Sequence, residues 1–186
     1  MKHLIALMAL VATPLAAQDF SEGSEAKTWN LYAEVPAKFE AQVVDVLCDL
    51  TGDCPENCGN GTRQLGLLRS ADDVMVFPLK NNQPAFTGAA TDLLPYCGQT
   101  VTVDGLMIED EDFPVKNIYL VQTVTTADDT TAKANQWTKE WAKANPDAKG
   151  KGPWFRRDPR IKAIIAEEGY LGLGLEADAD YIAENF

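Results

Sequence analysis

The chain reads as a mainly β protein with an α-helical C-terminal extension: a small five-stranded barrel with one helix between its third and fourth strands. Three observations predict this. Short runs that alternate apolar and polar residues, the period of a half-buried strand, fill residues 37–124. Cys48, Cys54 and Cys58 share one loop, and Cys97 stands just before a further strand-like run, Gln99–Gly105. Beyond residue 131 the pattern changes, with tryptophans at helical spacing and a switch in charge.

The 186 residues suffice for one ordinary domain and an appendage. Residues 1–17 read as a signal peptide: Lys2 and His3, a compact apolar run from Leu4 to Val11, a break at Thr13-Pro14, and small residues at Ala16-Ala17. The mature chain is expected to begin near Gln18 and to work in the periplasm or outside the cell. No later run is long and apolar enough to hold it in a membrane. Residues 18–36 form a polar, loosely held lead-in, with Leu31 and Tyr32 placed to touch the barrel.

Lys38–Cys48 reads as the first strand. Phe39, Ala41 and Val43 share one face and Val44, Val46 and Cys48 the other, so the apolar phase switches midway and predicts a bend or bulge. Thr62–Ser70 and Val74–Leu79 are the next two strands, joined by a turn at Ala71-Asp72-Asp73. Lys80–Pro84 is a polar loop, Thr87–Tyr96 a short helix, Gln99–Gly105 the fourth strand and Lys116–Val124 the fifth. Residues 125–131 read as a linker and residues 132–186 as the extension. In the extension, helices are expected over Ala132–Asn145, over Pro159–Glu168 with Gly169 just past its end, and over Ala177–Glu184.

That order of elements, the bent first strand, and the run Leu94-Pro95-Tyr96-Cys97-Gly98-Gln99-Thr100-Val101-Thr102-Val103-Asp104-Gly105 resemble secreted bacterial OB-fold proteins of the anticodon-binding-like type. The resemblance covers about residues 37–124. It implies a fold, and it does not imply a function. It further implies a ligand face between the loops joining strands one to two and four to five, here Asp49–Gly61 and Glu109–Val115. It also implies that the first and fourth strands are antiparallel neighbours, which favours a Cys48–Cys97 bridge and leaves Cys54–Cys58 to close the loop.

Four cysteines in an exported chain favour two disulfides. The alternative is a redox or metal-handling protein in which Cys48, Cys54, Cys58 and Cys97 ligate zinc or an iron–sulfur cluster, though their spacing matches no tight zinc or ferredoxin pattern. Glu109-Asp110-Glu111-Asp112 offers oxygen ligands for calcium but lacks a glycine turn and a spaced ligand set, so a solvated loop is the simpler reading.

His3 is the only histidine, and it leaves with the signal. The mature chain therefore has no Ser-His-Asp triad, no Cys-His pair and no histidine-bound zinc or haem, and acid–base chemistry would rest on carboxylates, tyrosine or lysine. No catalytic residue and no cofactor is assigned. Charge points the same way for nucleic acid. Residues 18–132 carry six basic and nineteen acidic side chains, a net of −13 that repels a phosphate backbone.

Residues 133–162 carry nine basic groups against three acidic, and residues 163–186 carry six acidic groups and no basic one. Trp154, Phe155, Arg156, Arg157 and Arg160, with the Trp137/Trp141 pair, either pack the basic tail onto the acidic barrel or form a docking surface, since tryptophan and arginine are favoured interface anchors. Flanking acids oppose a membrane role. The expected function is a non-catalytic exported binding or assembly-accessory protein whose ligand is a protein or a small molecule.

Overall fold

The computed structural model describes residues 18–30, 32–79, 88–112, 115–152 and 154–185. Residues 1–17, expected as a signal peptide, Leu31 and the expected Lys80–Pro84 loop lie outside the described residues.

The barrel is built on β1 (Glu34–Asp45), which alternates along its length with Ala37, Phe39, Ala41, Val43 and Asp45 all pointing inward. The expected change of face at Val43-Val44 does not occur. The strand keeps its phase to Asp45, and the chain then coils into a short helix, α1 (Val46–Thr51). What the alternation suggested was a bend is the end of the strand. Asp45 causes it: its side chain accepts the backbone N–H groups of Leu47 and Cys48, the arrangement of a helix N-cap. At twelve residues, β1 is long enough to serve two neighbours. Residues 34–42 pair with β4 (Thr100–Ile108), and residues 41–45 pair with β2 (Leu65–Arg69).

β3 (Met75–Pro78) pairs with β2, and β5 (Ile118–Thr125) with β4, all antiparallel. A parallel contact of Phe77 and Pro78 with Ile118 and Tyr119 closes the cylinder. The result is a closed five-strand OB-fold-like barrel, with α2 (Gly88–Leu93) and a 3-10 turn at Leu94–Tyr96 between β3 and β4. A sixth strand, β6 (Thr131–Lys133), pairs with β5, so residues 125–131 are mostly a tight hairpin turn and not a linker. The expected first tail helix is correspondingly shorter: α3 spans Trp137–Ala144.

Phe39, Leu65, Leu67, Val76, Val101, Val103, Tyr119 and Val124 fill the interior. Burying side chains of this size contributes about 1.5–3 kcal/mol each, enough to hold a small barrel. A second cluster, Leu79, Leu106, Ile108, Ile118 and Leu120, lies on the opposite face of β4 and β5, and Ala26 and Tyr32 from the lead-in pack against it.

The lead-in is therefore not loosely held. Asp104, buried in β4, accepts Ser24 Oγ at 2.5 Å and the Glu25 N–H at 2.7 Å. Gln122, the extra residue where β5 slips register against β4, exchanges hydrogen bonds with both backbone groups of Lys27. Phe20 meets Phe39 edge-on at 5.7 Å, and the Arg69 guanidinium covers its ring at 4.2 Å.

Candidate functional site

Two regions carry side chains that the fold itself does not account for: the disulfide-stapled end of the barrel, and the C-terminal extension.

At the first, α1 turns back after Gly52, which adopts a left-handed conformation (φ 76°), and brings Cys54 to within 4.5 Å of Cys48 between Cα atoms. These two cysteines are bonded. Cys58 is bonded instead to Cys97, with Cα atoms 6.0 Å apart. All four cysteines are thus in disulfides, but the pairing differs from the expected Cys48–Cys97 and Cys54–Cys58. The reason is local. That expectation carried the first strand straight on to Cys48, whereas the Asp45 cap curls the chain away from β4 and lets the later loop reach Cys97. The alternative four-thiolate metal site is not the arrangement found, since each sulfur is bonded to another.

Cys58 sits in a run of four left-handed residues, Asn57 to Asn60, with φ between 49° and 70°. Non-glycine residues resist this conformation, and the buried bridge to Cys97 holds it in place. Between this loop, the end of β1 and Gly98 lies a cleft of ≈ 340 Å³. Gln42, Asp45, Asp49 and Asn57 supply its polar lining, while Val43, Val44, Pro55 and the cysteine pairs supply its apolar walls. Asp45 is only 4% exposed. Its Oδ1 caps α1, and its Oδ2 is buried with no hydrogen-bond partner among the described residues. Arg63 lies near but bonds Asp53 at 2.8 Å. That contact first, and Asp45 more weakly, push the guanidinium above its usual value.

The second expected loop, Glu109–Val115, precedes β5. Among the described residues, no three histidine, cysteine, aspartate or glutamate side chains are grouped to hold a metal ion.

In the extension, the sequence singled out Trp154, Phe155, Arg156, Arg157 and Arg160 for a partner. The structure brings the aromatic ones together with each other. Trp137 and Trp154 meet at 4.3 Å, Trp141 and Trp154 at 5.8 Å, and Phe155 flanks Trp154 at 6.0 Å. Trp141 is buried, and Trp137, Trp154 and Phe155 are half-buried. The Arg157 guanidinium lies 5.2 Å over the Trp141 ring, while Arg156 and Arg160 are exposed. The cluster sits beside α2, where Asp92 accepts the N–H groups of Gln136 and Trp137 at the start of α3. Its ion pairs are local, Lys143–Glu140 and Arg160–Asp158.

The sequence foresaw both helices of the last segment but assigned its apolar residues no role. α4 (Pro159–Glu168) and α5 (Leu175–Asn185) form a hairpin whose turn is held by Asp178, which accepts the Tyr170 and Leu171 N–H groups at 2.7 and 2.6 Å. Ile164, Tyr170, Leu171, Leu173, Leu175, Tyr181 and Ile182 are each between 41% and 68% exposed. The signal was present as Leu171-Gly172-Leu173-Gly174-Leu175, too apolar for an ordinary turn. Among the described residues, no helix is long and apolar enough to cross a membrane. No family model, no curated protein and no solved structure matches this chain.

Proposed function

We propose that this chain is an exported, non-catalytic binding or assembly-accessory module that engages a protein partner through its C-terminal hairpin. The barrel fold and two disulfides suit a small protein of an oxidising compartment such as the periplasm. One observation carries the partner reading. Of the twelve exposed large apolar residues among those described, seven fall between Ile164 and Ile182. Scattered singly such residues mean little; gathered on one short hairpin they mark an interaction surface. The partner fits as an apolar surface rimmed with basic groups, because residues 163–186 carry six acids and no base.

The test is a photo-crosslinking residue at Leu173 in the full chain, expressed in the exported compartment of the producing cell. We expect an adduct with one other protein. When that protein is purified it should bind the chain, and Leu173→Asp should abolish binding without moving the barrel's melting temperature. A crosslink back to the chain's own barrel, or to a second copy of the chain, overturns the reading.

A further inference from the structure

We infer that the Cys48–Cys54 bridge is a thiol–disulfide exchange site, opened by a protein dithiol of the exported compartment while Cys58–Cys97 stays closed. This goes beyond the hairpin reading and uses none of its residues.

The two bridges differ first in access. Cys54 is exposed and Cys48 half-buried, whereas Cys58 is buried and Cys97 packs against the core. Exchange requires a thiolate to reach a sulfur, and exposed disulfides are the labile ones. They differ next in what they hold. Cys58–Cys97 ties the loop after α1 to the approach to β4, across 39 residues. Cys48–Cys54 closes only six, at a helix none of whose residues is buried. The barrel therefore keeps its long staple when the short one opens.

The short bridge is also placed to close again. Hydrogen bonds fix α1 at both ends without it: Asp45 accepts the Leu47 and Cys48 N–H groups, and the Gly52 N–H donates to the Cys48 carbonyl at 2.8 Å. The Thr51 hydroxyl donates to the Leu47 carbonyl at 2.7 Å. Asp53, next to Cys54, pairs with Arg63 at 2.8 Å. That pair ties the Cys54 side of the loop to the approach to β2, and it offsets a charge that would repel an arriving thiolate. Two thiols freed here stay neighbours. The other two cysteines are bonded to each other, so the same pair re-forms.

The exchange balances as follows. One thiolate of the dithiol attacks Cys54 Sγ; the S–S bond breaks, and its electron pair leaves on Cys48 Sγ, which takes a proton. The second thiolate then attacks the dithiol's own sulfur in the mixed disulfide, and Cys54 Sγ leaves and is protonated. Two electrons and two protons reach this chain, and the dithiol ends as a disulfide. The chain is a stoichiometric acceptor and not a catalyst.

The experiment treats the full-length mature chain with graded dithiothreitol and, separately, with reduced thioredoxin as the protein dithiol. Acid quenching, alkylation and peptide mass spectrometry then read each bridge. We expect Cys48 and Cys54 to be alkylated about tenfold faster or more than Cys58 and Cys97, with tryptophan emission unchanged. Oxidised dithiothreitol should restore the Cys48–Cys54 pair. A thioredoxin whose resolving cysteine is replaced by serine should be trapped on Cys54. Cys48→Ser/Cys54→Ser, which mimics the open state, should keep a cooperative melt. Equal or reversed reactivity of the two bridges, resistance of both, trapping on any other cysteine, or loss of folding when the short bridge opens would each overturn the inference. Leu173→Asp should leave these rates unaltered, so failure of the bridge and failure of the hairpin are distinguishable.

Discussion

Trp141 donates its indole N–H to Asp158 Oδ2 across 2.9 Å, joining α3 to the residue that caps α4. The same carboxylate accepts the Arg160 backbone N–H and pairs with its guanidinium. One aspartate thus ties Trp141 of the aromatic cluster to the start of α4.

The Arg160 guanidinium first, helped by the Trp141 and backbone donors against an opposing burial effect, holds the Asp158 carboxyl well below the usual carboxylate range. The folded state therefore favours its ionised form. The stabilisation is full above about pH 4, the unfolded value, and is lost as pH falls further. Asp158→Ala should destabilise the extension by about 1–3 kcal/mol at neutral pH, through the lost cap and the orphaned indole N–H. Tryptophan emission followed against pH and denaturant checks both. An acid transition that is unchanged in the variant would contradict the assignment.

Removing the two disulfides should have unequal effects. Cys58–Cys97 spans 39 residues and Cys48–Cys54 spans six. Chain-entropy arguments give about 4 kcal/mol for the first and about 2 kcal/mol for the second. Urea unfolding of Cys58→Ser/Cys97→Ser beside Cys48→Ser/Cys54→Ser should reproduce that order.

Gly105 faces the backbone of β5 so closely that an added Cβ would stand 2.3 Å from the Leu120 carbonyl oxygen. Backbone cannot yield as a side-chain tip can, so Gly105→Ala should cost about 3 kcal/mol or prevent folding. Gly98→Ala, which meets nothing within 4 Å but has φ +74°, should cost only about 1 kcal/mol. Thermal melts of the two variants make the comparison.

Tyr119 lies in the core, with its hydroxyl donated to the Ala37 carbonyl at 2.7 Å. Burial, and the Asp104 charge after it, push the phenol well above its ordinary value. The fold favours the protonated form, so its contribution is full below about pH 10 and is lost as pH climbs past the unfolded value. Tyr119→Phe should cost about 1 kcal/mol at neutral pH and flatten the alkaline limb of the stability curve.

Single-stranded DNA and RNA should not bind measurably at physiological salt. The barrel segment has a net charge of −13, which opposes a phosphate backbone. Fluorescence anisotropy with labelled oligonucleotides checks this; micromolar affinity with a steep salt slope would show the basic stretch of residues 133–162 forming a track.

How much of this was legible in the sequence follows from which interactions are local. The inward set Phe39, Ala41 and Val43 was readable from alternation, and α4 was readable to the residue because Pro159 and Gly169 mark its ends. β6 was not. Its three residues, Thr131–Lys133, carry no alternation, and its pairing is a matter of backbone. The anchoring of the lead-in was hidden for a similar reason, since Ser24 and Glu25 meet Asp104 some eighty residues away. Asp45 looked like one more acid on an acidic chain. Only the meeting of β1, α1 and the stapled loop makes it a buried carboxylate, so the cleft could not be read before the fold was known.

The way β1 is shared also bears on how quickly the protein can assemble. Thr100 follows Asp45 by 55 residues, and β1 must find β4 across that loop before the cylinder can close. Such distant pairing is the slow kind. Once Cys58 and Cys97 are joined, the path shortens to 13 residues outward from Asp45 and three onward from Cys97. Oxidation ahead of closure would turn a long search into a short one. In a refolding experiment, the bridged chain should regain its native signal faster than the reduced chain by more than their stabilities alone require.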